Sequence, residues 1–105
     1  MIHRGFDIPE KADYRNYPMH NHAARVKKRT GCKLYFDPSH AYGPRMRDSI
    51  LDATIDAANM KLNESGFLYD GILIEVGTSK TDTGQHISIS ELKKLVVDIS
   101  KNRDL

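Results

Sequence analysis

The chain of 105 residues has little that would tie it to a specialised class. A single cysteine, Cys32, cannot pair within the chain, which excludes a disulfide scaffold. No apolar run approaches the ~20 residues of a transmembrane helix, so no membrane partner is expected. Seven glycines and four prolines exclude collagen-like and low-complexity chains. Tryptophan is missing and aromatics make up 8%. The stretch 1–15 has no apolar segment of a secretory signal, so a cytoplasmic protein is expected. Charge of one sign is missing too. Sixteen Lys and Arg stand against fourteen Asp and Glu, a net +2, too near balance to indicate nucleic acid as partner.

What is there is 39% hydrophobic and 29% charged, the balance of one small globular domain over 1–105. Such a chain buries roughly 60–70% of its unfolded surface. Residues 33–36, Lys-Leu-Tyr-Phe, form a short β-type run that stops at Asp37-Pro38. Residues 71–76, Gly-Ile-Leu-Ile-Glu-Val, run apolar without alternation, as expected of a strand covered on both faces. Residues 1–6 offer a third strand. Pro18 to Thr30 reads as a helix, with Pro at its start and Gly31 at its stop. Pro44 to about Asn63 reads as the longest helix, with Met46, Ile50, Ala53, Ala57 and Met60 at helical spacing. Ser90 to about Lys101 reads as a third, with Ser88 or Ser90 as cap and a stripe of Leu92, Leu95, Val96 and Ile99.

The order is βαβαβα, and strands separated by helices favour a parallel sheet. Three parallel strands leave two open edges. A (β/α)8 barrel takes ~250 residues, so the chain is too short to close one alone. It reads as a partial barrel, or as an α/β unit that completes itself as a homo-oligomer or with a complementing chain.

Parallel α/β folds build their sites at the carboxyl ends of the strands. His40 follows one strand there, in Asp37-Pro38-Ser39-His40, and Glu75 ends the next. Asp82 follows in the loop beyond. One imidazole and two carboxylates suit Mn, Fe, Co or Zn. Taken singly, each has a plainer explanation: a capping histidine, a paired buried carboxylate, a solvated loop aspartate. Gly77 to Thr81 could cradle a phosphate or be a solvated loop. His20 and His22 are spaced too closely on a helix to chelate and read as a solvated face. Cys32 precedes a strand, at the far end from the site, and reads as a packed thiol. Arg25, Lys27, Lys28 and Arg29 read as a helix end complementing its dipole.

Together these residues resemble a family. Asp37-Pro38-Ser39-His40, Gly71-Ile-Leu-Ile-Glu75-Val76 and Thr81-Asp82-Thr83-Gly84-Gln85 are similar to the C-terminal part of the 3-deoxy-D-arabino-heptulosonate 7-phosphate (DAHP) synthases. The related 3-deoxy-octulosonate 8-phosphate synthases share the layout. His3-Arg4-Gly5-Phe6 is similar to the Arg-Gly segment of the family's sixth strand. The resemblance spans nearly the whole chain and implies strands six to eight of a TIM (β/α)8 barrel. It implies a transferase condensing phosphoenolpyruvate with an aldose phosphate, erythrose 4-phosphate in the shikimate pathway of aromatic amino acid biosynthesis. It implies His40, Glu75 and Asp82 as ligands of a divalent metal and Arg4 as a contact to phosphoenolpyruvate. The family's fourth ligand, a cysteine on the first strand, has no counterpart, and Cys32 does not match it. The length of 63–70 suggests the family variant with a larger seventh helix. The alternative is a truncated, non-catalytic module that binds metal or phosphate, or assembles with another chain. In either case the isolated chain is expected to lack the full reaction.

Overall fold

The computed structural model describes residues 1–9, 11–64, 66–77 and 84–103. Three short strands, β1 (Ile2–His3), β2 (Tyr35–Phe36) and β5 (Gly71–Ile72), form a parallel sheet in the order β1-β2-β5. Ile2 pairs with Tyr35, and Tyr35 in turn with Gly71. The pairing runs past the strand ends: the Tyr35 N–H donates to Met1 O, Asp37 to His3 O and Leu73 to Phe36 O, each at 2.9 Å. A small α/β domain with a parallel sheet is therefore what the alternating pattern produces.

Helix α1 (His20–Thr30) ends where glycine permits. Gly31 takes φ +69°, and its N–H reaches Lys27 O at 2.9 Å. Lys27 in the last turn does more than complement a dipole. Its Nζ donates to Leu68 O at 2.8 Å and to Asp70 Oδ2 at 2.9 Å, binding the helix to the chain entering β5. Asp70 also accepts the Leu34 N–H at 2.8 Å. That bond, followed by Lys27, holds its carboxyl below the ordinary carboxylate range.

The expected long helix is three things. Pro44–Ser49 is a 3-10 segment, broken by non-helical angles at Met46. Helix α3 spans Ile50–Asn59. Then β3 (Lys61–Asn63) and β4 (Gly66–Phe67) make an antiparallel hairpin. The apolar helical period ends at Met60, and Asn63 with Gly66 favours a turn beyond it. Lys61 Nζ lies 3.7 Å from the centroid of Phe67, and the Arg103 guanidinium 4.0 Å from it. The long connection from the helix to the last strand therefore holds this hairpin.

Between Asp37 and the 3-10 segment lies a short helix, α2 (Pro38–Tyr42). Helix α4 (Ile89–Arg103) opens with a reciprocal cap. Ser88 Oγ accepts the Glu91 N–H at 3.1 Å, and Glu91 Oε1 accepts the Ser88 N–H at 2.9 Å. Arg47 adds an ion pair to Glu91 at 2.6 Å, which is the main cause holding that carboxyl low. Leu95 is buried with Leu92 and Ile99 packed alongside, whereas Val96 faces out at 54% exposure. Nor is the run 71–76 covered on both faces: Leu73 and Val76 are exposed. No described helix is long and apolar enough to cross a membrane.

The core centres on Phe36, Tyr69, Leu34, Ile50 and Ile87. Two histidines join it. The Tyr69 hydroxyl bonds to Nδ1 of His3 at 2.8 Å and to Nδ1 of His20 at 2.5 Å. His20 also packs edge-on against Phe36. It is therefore no solvated face residue, because the apolar side of α1 turns it inward. One hydroxyl offers one proton, so it donates to one imidazole and accepts from the other when both are neutral. Neutrality is what burial enforces. Desolvation, then the neighbouring His20 and His22, lowers His3 from 6.5 to about 4. Burial lowers His20 as well.

The folded pKa of His3 lies below the unfolded one, so the unfolded chain takes up this proton first. The stabilisation is complete above pH 6.5 and lost as pH falls toward about 4. At ~1.4 kcal/mol per unit it is on the order of 3 kcal/mol. Urea unfolding midpoints should therefore fall between pH 7 and pH 4.5, and His3→Phe should flatten that fall. An unchanged slope in the variant would remove His3 as its cause.

Candidate functional site

Parallel strands deliver their carboxyl ends to one edge of the sheet. Arg4 follows β1, Asp37 follows β2 and residues 73–77 follow β5. Asp37 is the residue around which this edge is built. It caps α2, with Pro38 at the first helical position, and its Oδ1 accepts the His40 N–H at 3.0 Å. Its Oδ2 accepts from His40 Nδ1 at 2.7 Å and lies 3.7 Å from Arg4 Nε. The Asp37 side chain is only 11% exposed, whereas the Arg4 side chain is more than half exposed. The longer Arg4 contact therefore adds little stability by itself. What it does is bring the residues after two neighbouring strands together.

The bond to Asp37 sets the imidazole tautomer. With the Nδ1 proton directed at the carboxylate, His40 carries its lone pair on Nε2. Nε2 makes no hydrogen bond among the described residues. A carboxylate behind a histidine whose other nitrogen is open is the arrangement that orients metal-binding imidazoles.

The second motif joins through Ser39. Fully buried, its Oγ accepts the Glu75 N–H at 3.0 Å. Beyond this point the Ile87 N–H donates to Glu75 O at 2.9 Å, and the Gly77 N–H to Ile87 O at 3.0 Å, so Val76 and Ile87 form a parallel bridge. The backbone of Glu75 is thus tied to the residue preceding His40, on the edge that holds Arg4. Glu75 itself is half-buried. Asn16 completes the frame, with Nδ2 donating to His40 O at 3.0 Å and its N–H to Ala41 O at 2.9 Å.

Asp82 lies outside the described residues, as does most of the Gly77–Thr81 stretch. Among the described residues no group of three His, Cys, Asp or Glu side chains is arranged to hold a metal ion. The donors that are described, the His40 imidazole backed by a carboxylate and Glu75, whose backbone is tied to Ser39, are of the kinds a borderline divalent metal takes. Cys32, expected to be packed, is an exposed free thiol before β2, at the other end of the sheet.

In the sequence, Asp37 and Ser39 stand inside the Asp37-Pro38-Ser39-His40 motif with no role of their own. A signal for Asp37 was present: aspartate before proline, with histidine three residues on, is a helix cap that can also reach the imidazole. For Ser39 no local signal exists, because its partner is 36 residues away.

Ser39→Ala would leave the part-buried Glu75 N–H without its acceptor. It should cost about 1–3 kcal/mol of stability, read as a lower urea midpoint. A midpoint within error of the parent would show that Ser39 does not join the two motifs energetically. Against this geometry, comparison with known proteins returned no matching family model, no matching curated protein and no matching solved structure.

Proposed function

We propose that the chain is the C-terminal part, strands six to eight, of a TIM-barrel transferase of the DAHP synthase type. It would act on phosphoenolpyruvate and an aldose phosphate such as erythrose 4-phosphate, in the cytoplasm. The observation that carries this reading is the convergence of its motifs: Arg4, Asp37 and His40 in one charged cluster, with the Glu75 backbone bound to Ser39 beside it.

In this reading His40, through Nε2, and Glu75 and Asp82, through their carboxylates, hold a divalent Mn, Fe, Co or Zn ion. When bound there, the metal supplies Lewis-acid polarisation of the aldehyde. Asp37 positions the imidazole and keeps the Nδ1 proton. Arg4 presents a half-exposed cation toward which an anionic substrate such as phosphoenolpyruvate can bind.

A second reading is a non-catalytic module that binds metal and assembles with another copy or a complementing chain. It is favoured by Ile2 and Leu73, exposed at 50% and 44% on or beside the two outer strands of the sheet. Among the described residues neither strand has a partner strand on its outer edge, and a parallel sheet is ordinarily covered.

Calorimetric titration with Mn²⁺ should give weak binding that His40→Ala abolishes. Asp37→Asn should weaken it by about 10–100-fold, as loss of an orienting partner does. Equal binding by parent and His40→Ala would sink the metal assignment. Incubated with Mn²⁺, phosphoenolpyruvate and erythrose 4-phosphate, the isolated chain should release no phosphate. Positioning two substrates can lower a barrier by ~7–11 kcal/mol, and in this reading the groups that do so stand on strands one to five. Phosphate release that Glu75→Gln abolishes would instead make the short chain an enzyme, and the second reading would fall.

A further inference from the structure

A cavity of ≈ 360 Å³ opens between residues 11–15, Tyr42 at the end of α2, Pro44 and Arg45 of the 3-10 segment, and Gln85, and shares no lining residue with the Arg4–Asp37–His40 cluster. Among the described residues its charged lining is Lys11, Arg15 and Arg45 against one carboxylate, Asp13. The walls include Tyr14 and Tyr42. In a chain whose charges nearly balance overall, this is a local excess of cation in a concave site.

The cavity is built. Gln85 is 1% exposed, and its Oε1 accepts from Arg15 Nη1 at 2.9 Å, which holds the guanidinium in place. The Arg15 N–H donates to Tyr42 O at 3.2 Å, fixing the loop against the end of α2. Gly43 makes that approach possible. It takes φ +74°, and a Cβ there would sit 2.6 Å from the Arg15 Cβ. Ala12 in the same loop is held at φ +53°, which a non-glycine residue seldom adopts. Lys11 is already shared with Asp7, whereas Arg45 makes no ion pair among the described residues.

We propose that this cavity binds a small phosphate monoester, with Arg15 and Arg45 as its principal contacts and Lys11 adding charge. The volume suits a metabolite and is far too small for a nucleic-acid surface. Guanidinium groups match phosphate oxygens with paired N–H donors, and a dianion takes more than one such group. Arg15 keeps donors beyond the one that Gln85 uses. The proposal rests on these residues alone and does not depend on the synthase reading.

Calorimetry with the full chain, in the absence of divalent metal, tests it with inorganic phosphate, ribose 5-phosphate and ribose. Both phosphates should bind and ribose should not, with affinity falling as salt is raised. Arg45→Gln, an exposed substitution that disturbs no described contact, should weaken ribose 5-phosphate by about tenfold or more. Arg15→Gln should do the same, with folding checked by circular dichroism. Lys28→Gln on the outer face of α1 makes the same change of net charge and should leave binding unchanged. Binding of ribose equal to that of its phosphate would overturn the proposal. So would an Arg45→Gln affinity equal to that of Lys28→Gln, or no binding at millimolar phosphate.

Discussion

The carboxylate of Asp37 is the constraint on which the carboxyl edge of this fold depends. It sits at the end of the central strand and is nearly inaccessible to water. A buried carboxylate is costly unless its oxygens are satisfied. Here one oxygen caps α2 and the other takes the His40 imidazole, with Arg4 nearby. Meeting that requirement fixes three things together: where the helix after β2 begins, which way His40 is protonated, and how close the residue after β1 comes to β2. The Asp37 N–H, donating to His3 O, ties the same residue into the sheet ladder.

A second polar requirement lies deeper. Tyr69, fully buried beside Phe36, needs partners for its hydroxyl and finds them in His3 and His20. The three side chains come from β1, α1 and the approach to β5, so one hydroxyl joins parts of the chain far apart in sequence. The arrangement works with neutral rings, which makes the core sensitive to acid. The cationic cavity beside the end of α2 has the opposite character. There the chain holds charge at the surface, and a buried glutamine and a side-chain-free Gly43 keep the arginine where it is.

The sheet itself is short and incompletely covered. Its paired strands are two residues long, and apolar side chains remain outside. Much of what holds the helices is specific and polar rather than extensive: Lys27 onto Leu68 and Asp70, Arg47 onto Glu91, Arg103 onto the carbonyls of Ala58 and Tyr69. Such bonds place elements with more precision than a small apolar core does.

The amino-acid sequence by itself determined the alternation of strands and helices, the parallel sense that follows from it, and the stops at Gly31 and Asp37-Pro38. These depend on local steric and hydrogen-bonding preferences, which neighbouring residues carry with them. It also placed His40 and Glu75 on one edge, because strand ends in a parallel sheet point one way. Only the tertiary structure decided that 61–63 and 66–67 pair as a hairpin, since Phe67 takes the cation of Arg103, 36 residues away, as well as that of Lys61. The inward turn of His20 likewise depended on Tyr69, 49 residues away. Asp37 as the common partner of Arg4 and His40, Ser39 as the link to Glu75, and the gathering of Lys11, Arg15 and Arg45 were decided at the same level. Each brings together groups from separate segments of the chain, and no periodicity in a sequence encodes which distant groups a buried polar atom will find.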